Sequence, residues 1–594
     1  MKRFALIILT VTLCAAGYAG TVTRIQAEKY ALRIIGGSGS LAIHSSGEVL
    51  NLPYQESSPS FYLFENPSGG WMILSAEDRT APVLAYSDEG SFDFRNLAPN
   101  TRFWLSKLDS DIKLLRKANG TADAAIKKQW EEAGNRTKAS GEGKLLETAL
   151  WNQEEPYNNL CPVVARYQSP SGCVATAMAI ILRYNKWPEH GTGTLPSYVT
   201  ETSLVTIPGY SIDSHKYNWD NMPLEYTEAA TALQQKEVAQ LMYDCGVMVR
   251  MNYAGTSSSA YSKDVIPALS KHMSYSASAR ELYQTHYSVR EWFRMITEEI
   301  DGGYPLLYGG IDPEQGGHQF VCDGYDSNGF IHINWGWSGH ANGYFSITYL
   351  GDKDEEKVNH VFNYDVSAIF GLKPDKDGKT EACTELFLLS EEESGLYGIR
   401  LVEGEITKGS PFKLKLGLIC NRSLDISYKG TVKVALLDRN GAVKEYIGEE
   451  KDISVDCAKV NEKELIPGQI MVDNYECTIT KDIVPGDAVS IFYRLPDDSW
   501  ARIGGGEEGM PTISLLGAYD ACFINVQDSY KAGQAYYLDI IPGRKTIANA
   551  SMFFDNSACD KGYVTLQPGE HEVKAVLEFN DGSRETIIQK IRVN

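Results

Sequence analysis

The sequence is short of basic residues for its length. Its 594 residues hold 56 Lys and Arg against 77 Asp and Glu, which gives a formal net charge of −21. Binding to a phosphate backbone needs clustered positive charge, so this excess of acidic residues argues against nucleic acid as a partner. No two cysteines have the spacing Cys-x-x-Cys, so a zinc knuckle is not expected. Beyond the N-terminus no apolar run approaches the length of a membrane span.

The rest of the composition is that of a folded protein with several domains. Hydrophobic residues make up 43% and charged residues 22% of the chain, which suits a protein that buries cores. The length alone predicts about four domains. The 34 tyrosines and 53 glycines indicate much β-structure with many turns.

The N-terminus has the pattern of an export signal. Two basic residues precede the apolar run Phe4–Leu13, and small residues follow it. A cleavage site is expected near Ala19 or Gly20, so residues 1–20 are interpreted as a secretory signal peptide. The protein is then expected outside the cytoplasm, as an extracellular, periplasmic or cell-surface attached protein. Export permits disulfides among the remaining cysteines, but their pairing cannot be deduced from the sequence.

Residues 21–143 are interpreted as one α+β unit. Short apolar runs between turn residues predict an antiparallel sheet, at Ser60–Phe64, Gly70–Leu74 and Pro82–Tyr86. More charged stretches after them predict helices at Thr101–Lys117 and Ala122–Ala133. The run Asn135–Lys144 is polar, small and basic, which is the composition of an exposed linker.

The remaining chain divides by its residue pattern into two parts. Residues 144–372, called the mixed part below, combine helical and strand-like segments and carry the candidate functional residues. After residue 373, strand-like runs recur between turn residues, and the chain closes on a hairpin around Asn580-Asp581-Gly582. This pattern predicts two all-β modules of the Ig-like sandwich type, at 373–515 and 516–594.

Cys173 is a candidate nucleophile because of its place in the chain. It follows Gly172, which can make a sharp turn, and apolar residues at helical spacing begin at Val174. A cysteine at a helix N-terminus is exposed to the positive end of the helix dipole and to free N–H groups, which favour a thiolate. A buried structural cysteine is the alternative interpretation.

His318 is the candidate base for that thiolate. Among the 10 histidines it stands out because it follows Gly316-Gly317 and opens an apolar run that ends in the turn 326–329. A hairpin around that turn would place His318 opposite Trp337, with Asn334 and Trp335 nearby. A thiolate nucleophile needs a base within hydrogen-bond reach, and this cluster could supply it.

These motifs resemble the streptopain (interpain) family of papain-like bacterial cysteine peptidases. The resemblance is carried by Gly172-Cys173-Val174-Ala175-Thr176-Ala177, Gly317-His318 and Asn334-Trp335-Gly336-Trp337. The segment from Trp151 to Pro162 is similar to the start of the mature enzymes, and the segments Phe61–Phe64, Trp71–Asp78 and Val83–Ser87 are similar to the propeptide. The implied architecture is a papain-like catalytic domain of α+β class at 144–372, an inhibitory propeptide at 21–143 and all-β modules behind them.

The resemblance also implies roles for single residues. Cys173 is the implied nucleophile and His318 the general base and acid. Gln153 is the implied oxyanion-hole glutamine, although it lies 20 residues before Cys173 and the papain spacing is shorter. Asn334, Trp335 and Trp337 are assigned to orienting and shielding His318, and simple core packing of the two indoles is the open alternative.

The leading hypothesis is therefore a secreted cysteine endopeptidase made as a zymogen. Its expected partners are protein and peptide substrates and its own propeptide, without cofactor or metal, and the β-rich tail is a candidate for binding a surface or a protein. Two alternatives remain. One is a secreted adhesin or binding protein with a degenerate papain-like domain, and the other is an acyl transferase of the transglutaminase type.

Overall fold

A computed structural model of the chain describes most of the residues up to 505 and shorter pieces beyond. The described residues are 20–35, 41–52, 58–117, 124–133, 143–287, 289–312, 316–347, 366–389, 399–438, 441–461, 464–483, 487–505, 513–514, 523–525, 535–537, 539–541, 547–555, 557–558, 563–565, 567–579 and 583–593. The expected signal segment up to residue 19, most of the linker Asn135–Lys144 and the turn at 580–582 lie outside them. Within these ranges, no helix is both long and apolar enough to cross a membrane.

The chain forms two compact units. The first combines Met1–Leu145 with Gly324–Phe362, and the second combines Leu146–Asp323 with Asn363–Asn594. The dividing line passes through the strand Gly316–Asp326. The domain boundaries expected from the sequence, at residues 143, 372 and 515, stay predictions.

The first unit is an antiparallel sheet with helices. Its helices are Arg24–Ile35, Ser46–Val49, Pro99–Lys117 and Ala124–Ala133. Its strands, in sheet order, are Ala42–Ser45, Phe61–Glu65, Trp71–Ser75, Val83–Ser87, Gly343–Ser346 and Phe330–Asn334, and Gly143–Leu145 pairs with the end of Gly316–Asp326. The three strands and two helices expected from the sequence before residue 134 are confirmed within one or two residues.

The strands of this sheet come from both sides of the sequence-predicted linker. Tyr86 in the strand Val83–Ser87 is paired with Tyr344, and the two rings stack with centroids 5.1 Å apart. The Tyr86 hydroxyl donates a 2.7 Å hydrogen bond to the Asp326 carboxylate. The segment that resembles a propeptide is thus hydrogen-bonded, strand to strand, to the segment that carries Asn334 and Trp335.

The second unit begins with the mixed part of the chain. Its helices here are Cys173–Asn185, Ala232–Met248, Val265–Met273 and Val289–Asp301. Four strands form a sheet in the order Gly316–Asp326, Leu306–Asp312, Ser367–Phe370 and Arg280–Tyr283. Short two-residue strands pair beside them: Val163–Val164 with Tyr167–Gln168, Thr194–Leu195 with Tyr210–Ser211, and Tyr198–Val199 with Thr206–Ile207.

The tail of the second unit is all-β in its described residues, as the sequence predicts. Its strands up to residue 514 are Leu386–Leu388, Ile399–Glu403, Pro411–Asn421, Tyr428–Leu437, Val443–Tyr446, Lys451–Val455, Lys459–Asn461, Glu464–Ile466, Gly468–Thr478, Ala488–Arg494, Trp500–Arg502, Gly504–Gly505 and Ile513–Ser514. Those beyond are Phe523–Asn525, Ala535–Tyr537, Asp539–Ile541, Ile547–Phe554, Ser557–Ala558, Tyr563–Thr565, Gly569–Phe579 and Arg584–Val593. The last two pair as the expected terminal hairpin. The Ig-like arrangement in particular stays a prediction.

The all-β tail packs on the mixed part through buried charges. The Arg502 guanidinium forms a bidentate salt bridge with the Glu291 carboxylate, and both side chains are buried. His286 Nδ1 lies 2.9 Å from Glu385 Oε1. At Gly504 a Cβ atom would lie 2.7 Å from the His286 carbonyl oxygen, so only glycine fits against this surface. These contacts join the two parts tightly within one unit.

A buried carboxylate organises the core beside the helix Ala232–Met248. Asp244 is fully buried and accepts hydrogen bonds from the hydroxyls of Tyr210 and Tyr217, both at 2.8 Å, and from Gln240 Nε2 at 2.9 Å. His215 Nδ1 lies 2.9 Å from the same carboxylate. The hydrogen bond to Asp244 raises the pKa of His215 above its ordinary value.

This raised pKa predicts a pH-dependent contribution of His215 to stability. The contribution is fully present below the pKa of an unfolded histidine, about 6.5, and is lost as the pH rises through the higher value in the folded state. We therefore expect His215→Gln to lower the thermal midpoint more at pH 5.5 than at pH 8.5. The exposed His190 provides the control, since His190→Gln should shift the midpoint little at either pH. If His215→Gln lowered the thermal midpoint by the same amount at the two pH values, the proposed link between the His215 pKa and stability would be contradicted.

Candidate active site

The local sequence explains why Cys173 opens a helix. Gly172 has φ +90°, and a Cβ atom there would lie 2.7 Å from the end of the buried Met251 side chain, so the turn requires glycine. The helix runs from Cys173 to Asn185 and ends at Lys186, which adopts the left-handed conformation. The residues from Val174 to Arg183 are buried, as expected of a helix that is apolar on all sides. The predicted helix start at Cys173 is confirmed.

The surroundings of the Cys173 thiol act on its pKa in two directions. Burial raises the pKa, and the backbone N–H groups of Gln319 and Val174 act in the opposite direction because they favour the thiolate. The net direction is upward.

The contact with Gln319 places Cys173 beside the strand that carries His318. His318 lies on Gly316–Asp326, opposite Gly310 of the strand Leu306–Asp312, and its side chain is half-buried. Gln319 is the next residue, so the proposed nucleophile and the proposed base occupy neighbouring elements of the same unit. The sequence assigned these two residues from separate motifs 145 positions apart, and the fold brings the motifs together.

Gln153 is held next to the turn that precedes Cys173. The backbone N–H of Ser171 donates a 2.9 Å hydrogen bond to the Gln153 carbonyl oxygen, and the Ser171 hydroxyl lies 3.4 Å from the same atom. The Gln153 N–H donates in turn to Asn152 Oδ1 at 2.6 Å. The chain after Gln153 thus returns to it at Ser171, two residues before Cys173, and the oxyanion role of Gln153 stays a prediction.

The three remaining candidates belong to the first unit. Asn334 is fully buried and accepts a 3.1 Å hydrogen bond from the N–H of Gly336. Trp335 is buried as well, and its indole N–H donates to the Ala341 carbonyl oxygen at 3.0 Å. Trp337 is half-buried, and its indole nitrogen has no hydrogen-bond partner among the described residues. The orienting and shielding roles of these residues stay predictions, and the packing of Trp335 fits the alternative of a core residue.

Gln319 is a residue that sequence reasoning missed. Its backbone contacts the Cys173 thiol, and its buried side-chain Nε2 has no hydrogen-bond partner among the described residues. The only signal in the sequence was its position next to His318. The described cysteines are all free thiols, namely Cys161, Cys173, Cys245, Cys322, Cys383, Cys420, Cys457 and Cys477.

Comparison with known proteins relates the chain to cysteine peptidases. The family model of the Peptidase C10 family matches residues 151–345, and that of the Spi protease inhibitor matches residues 21–112. Streptopain of Streptococcus pyogenes is 30% identical over 347 residues, which cover 55% of this chain and 83% of that protein. The thiol protease/hemagglutinin PrtT of Porphyromonas gingivalis is 30% identical over 371 residues, or 60% of this chain. The alignment covers 42% of PrtT, so this chain spans less than half of that relative.

Solved structures of interpain A from Prevotella intermedia also resemble the chain. The prointerpain A fragment is 26% identical, covers 56% of this chain and 99% of its own, and superposes with a TM-score of 0.45. The active wild-type enzyme is 31% identical, covers 39% of this chain and 94% of its own, and gives a TM-score of 0.34. The identity to streptopain over most of its length decides the assignment: this chain belongs to the streptopain family of cysteine peptidases, the Peptidase C10 family.

Proposed function

We propose that this chain is the precursor of a secreted cysteine endopeptidase that cleaves proteins through Cys173 and His318. The observation that carries the proposal is the position of the Cys173 thiol. Cys173 begins a helix, and the backbone N–H of Gln319, the residue after His318, acts on its thiol. Nucleophilic catalysis requires a thiol at the positive end of a helix with an imidazole within hydrogen-bond reach, and His318 is the proposed source of that imidazole.

The proposed reaction proceeds in two steps. His318 takes the thiol proton, Cys173 Sγ attacks the carbonyl carbon of the scissile bond, and His318 returns the proton to the leaving amine. Water then attacks the resulting thioester with His318 as the base, which releases the acid and restores the thiol. The Cys173 N–H and the side-chain amide of Gln153 donate to the oxyanion that forms in both steps.

Two observations support the proposal that the precursor is inactive. The segment 21–112 matches an inhibitor family, and its strand Val83–Ser87 pairs with Gly343–Ser346. Burial raises the pKa of the Cys173 thiol, which disfavours the thiolate. We infer that removal of the propeptide lets the thiolate–imidazolium pair form.

Labelling with an irreversible, thiol-reactive peptide inhibitor tests this function. The mature enzyme should be labelled at Cys173 alone among its free thiols, and His318→Ala should slow the labelling strongly because the thiolate is no longer formed. Iodoacetamide treatment of unfolded protein supplies the control for the reactivity of all thiols. Labelling spread evenly over the cysteines, or its absence at Cys173, would favour the adhesin with a degenerate catalytic domain. Product analysis with an added amine distinguishes hydrolysis from acyl transfer, which should be the minor route.

Maturation is expected to cut the chain between Asn135 and Trp151, on the N-terminal side of Gly143. Gly143–Leu145 is paired as a strand with Gly324–Asp326, and Trp151 is fully buried with its indole N–H bonded to the Pro223 carbonyl oxygen. Both segments are thus built into their units and should remain in the mature enzyme. We expect the Cys173→Ala precursor to accumulate uncut and to be trimmed in this window when mature wild-type enzyme is added.

N-terminal sequencing of the active form checks this prediction. A start before Arg116 or after Gln153 would show that the propeptide boundary is misplaced. Autonomous trimming of the Cys173→Ala precursor would show that another peptidase performs the cut.

A further inference from the structure

The first described residues of the chain are paired with the segment that follows the strand Trp71–Ser75. The Asp78 N–H donates to the Gly20 carbonyl oxygen at 3.0 Å, and the Val22 N–H donates to the Ala76 carbonyl oxygen at 2.9 Å. Thr21 and Glu77 form an antiparallel bridge between these two contacts. The Gly20 N–H lies close enough to the Asp78 carboxylate to lower the pKa of that group. Gly20 is therefore held through its carbonyl oxygen by the residue whose carboxylate lies near its nitrogen.

The carboxylates of Glu77 and Asp78 differ in their salt-bridge and hydrogen-bond partners. Glu77 is fully buried and bonds to Arg79 Nε at 2.6 Å and to Arg116 Nε at 3.2 Å. Asp78 forms no salt bridge among the described residues, and its buried Oδ1 accepts no hydrogen bond there. Burial and the charge of Glu77 raise the pKa of Asp78, against smaller opposing effects of the Gly20 N–H, Arg79 and Lys127. One carboxylate thus lacks the cation that the other has.

The missing cation can come from the chain itself. We propose that the segment Ala76–Arg79 is a binding site for the α-ammonium group that arises at Gly20 when the export signal is removed after Ala19. The proposal rests on the export proposed above. In that hydrolysis the Ala19–Gly20 bond breaks, the oxygen of water completes a carboxylate on Ala19, and the Gly20 nitrogen gains protons to become an ammonium. As an amide, that nitrogen already lies close enough to the Asp78 carboxylate to lower its pKa.

The change from amide to ammonium fits the site. An amide has one N–H to donate, whereas the ammonium has three and carries a full charge, so it can also serve the unsatisfied Oδ1 of Asp78. A Cβ atom on Gly20 would lie 3.7 Å from both carboxylate oxygens of Glu77, which is ordinary van der Waals contact. In the uncut chain the backbone at Gly20 has φ +136°, a conformation that glycine adopts without strain.

Capture of the N-terminus would fix the first helix of the propeptide. Thr23 caps the helix Arg24–Ile35 by a reciprocal pair of hydrogen bonds with Gln26, at 2.8 and 3.4 Å. The helix buries Ala27, Ala31 and Ile34 in the core of the first unit. The ammonium contact lies three residues before this cap, so it ties the helix to the sheet at Ala76–Asp78. The inhibitory segment thereby reaches its full stability only after export.

The test compares full-length precursors, all with Cys173→Ala to prevent self-cleavage. One begins with a free Gly20, released from a tag by a protease that leaves no residue behind, and one carries a neutral two-residue extension before Gly20. Both are also made with Asp78→Asn, and with Asp88→Asn as an exposed acidic control. Hydrogen exchange of residues 20–35, the thermal midpoint, and the pKa of the α-amino group from NMR of the methylated amine are the readouts.

With a free Gly20 we expect about five-fold greater protection of residues 20–35 and a midpoint about 2–4 °C higher than with the extension. The pKa of the α-amino group should lie above its ordinary value of about 7.7–8.0. Asp78→Asn should remove these differences, and Asp88→Asn should retain them.

Equal protection of the free and extended precursors, or an ordinary α-amino pKa, would overturn the proposal, and this comparison needs no substitution near the site. Sequencing that places the exported N-terminus beyond Val22 would overturn it as well. The readouts do not involve catalysis, so inhibitor labelling of Cys173 in the mature wild-type enzyme separates a failure here from a failure of the proposed function.

Discussion

Cys173→Ala should lower kcat/KM for peptide hydrolysis by a factor of about 10⁴ or more, because the covalent route disappears with the sulfur. The change should cost less than about 1 kcal/mol of stability, since a small residue replaces another at a helix start. The variant cannot process itself. It is therefore trimmed by tagged wild-type enzyme, which is then removed, before hydrolysis of a fluorogenic peptide is measured.

Cys457→Ala provides the matched control. Cys457 is a half-buried free thiol in the β-rich tail, and its loss should leave hydrolysis unchanged. His318→Ala should be nearly as severe as Cys173→Ala, and the double variant should be no worse than either one because the two residues act as a unit. Hydrolysis by trimmed Cys173→Ala above a few per cent of wild type would assign the chemistry to another residue.

The largest effect on stability is expected from Arg502→Met. The salt bridge of Arg502 with Glu291 is buried on both sides, with side-chain exposures of 7% and 9%. Loss of the guanidinium leaves a buried carboxylate without its partner, and Arg294, 3.9 Å away and far more exposed, is a poor substitute. The free energy of unfolding should fall by about 3–5 kcal/mol. Guanidinium unfolding of the Cys173→Ala precursor measures this loss.

An exposed ion pair supplies the comparison. Lys408 and Asp482 lie 2.6 Å apart with side-chain exposures of 54% and 84%, so Lys408→Met should change the free energy of unfolding by less than about 0.5 kcal/mol. The double variant Arg502→Met/Glu291→Leu should recover most of the stability, since no charge then remains buried. Equal effects of Arg502→Met and Lys408→Met would refute the idea that this pair holds the tail to the mixed part.

Features encoded by nearby residues were predictable from the sequence. The helix from Cys173 follows from Gly172 and an apolar run, and the terminal hairpin follows from alternating residues around an Asn-Asp-Gly turn. Each of these two features rests on residues whose spacing in the sequence sets their spacing in the fold. The pairing of Cys173 with His318 was a hypothesis from the chemistry of the two motifs and from the family resemblance, and it stays a prediction.

Contacts between distant segments were not predictable in this way. Glu291 and Arg502 are 211 positions apart, and nothing in either local sequence identifies the other as its partner. The pairing of Val83–Ser87 with Gly343–Ser346 likewise depends on how the chain returns after some 250 residues. On the Gln319 side the contact with the Cys173 thiol is made by the backbone N–H, so the identity of the Gln319 side chain gives no signal of it.

The shared sheet of the first unit has a consequence for the mature enzyme. Gly343–Ser346 is flanked by Phe330–Asn334 on one side and by Val83–Ser87 on the other. Loss of the propeptide, up to the proposed cut before Gly143, removes the second neighbour and leaves the N–H and C=O groups on that side of the strand unpaired. Such an open edge readily accepts an extended strand from another chain. Activation therefore exposes an edge strand. The mature enzyme would self-associate through this edge unless another segment pairs with it.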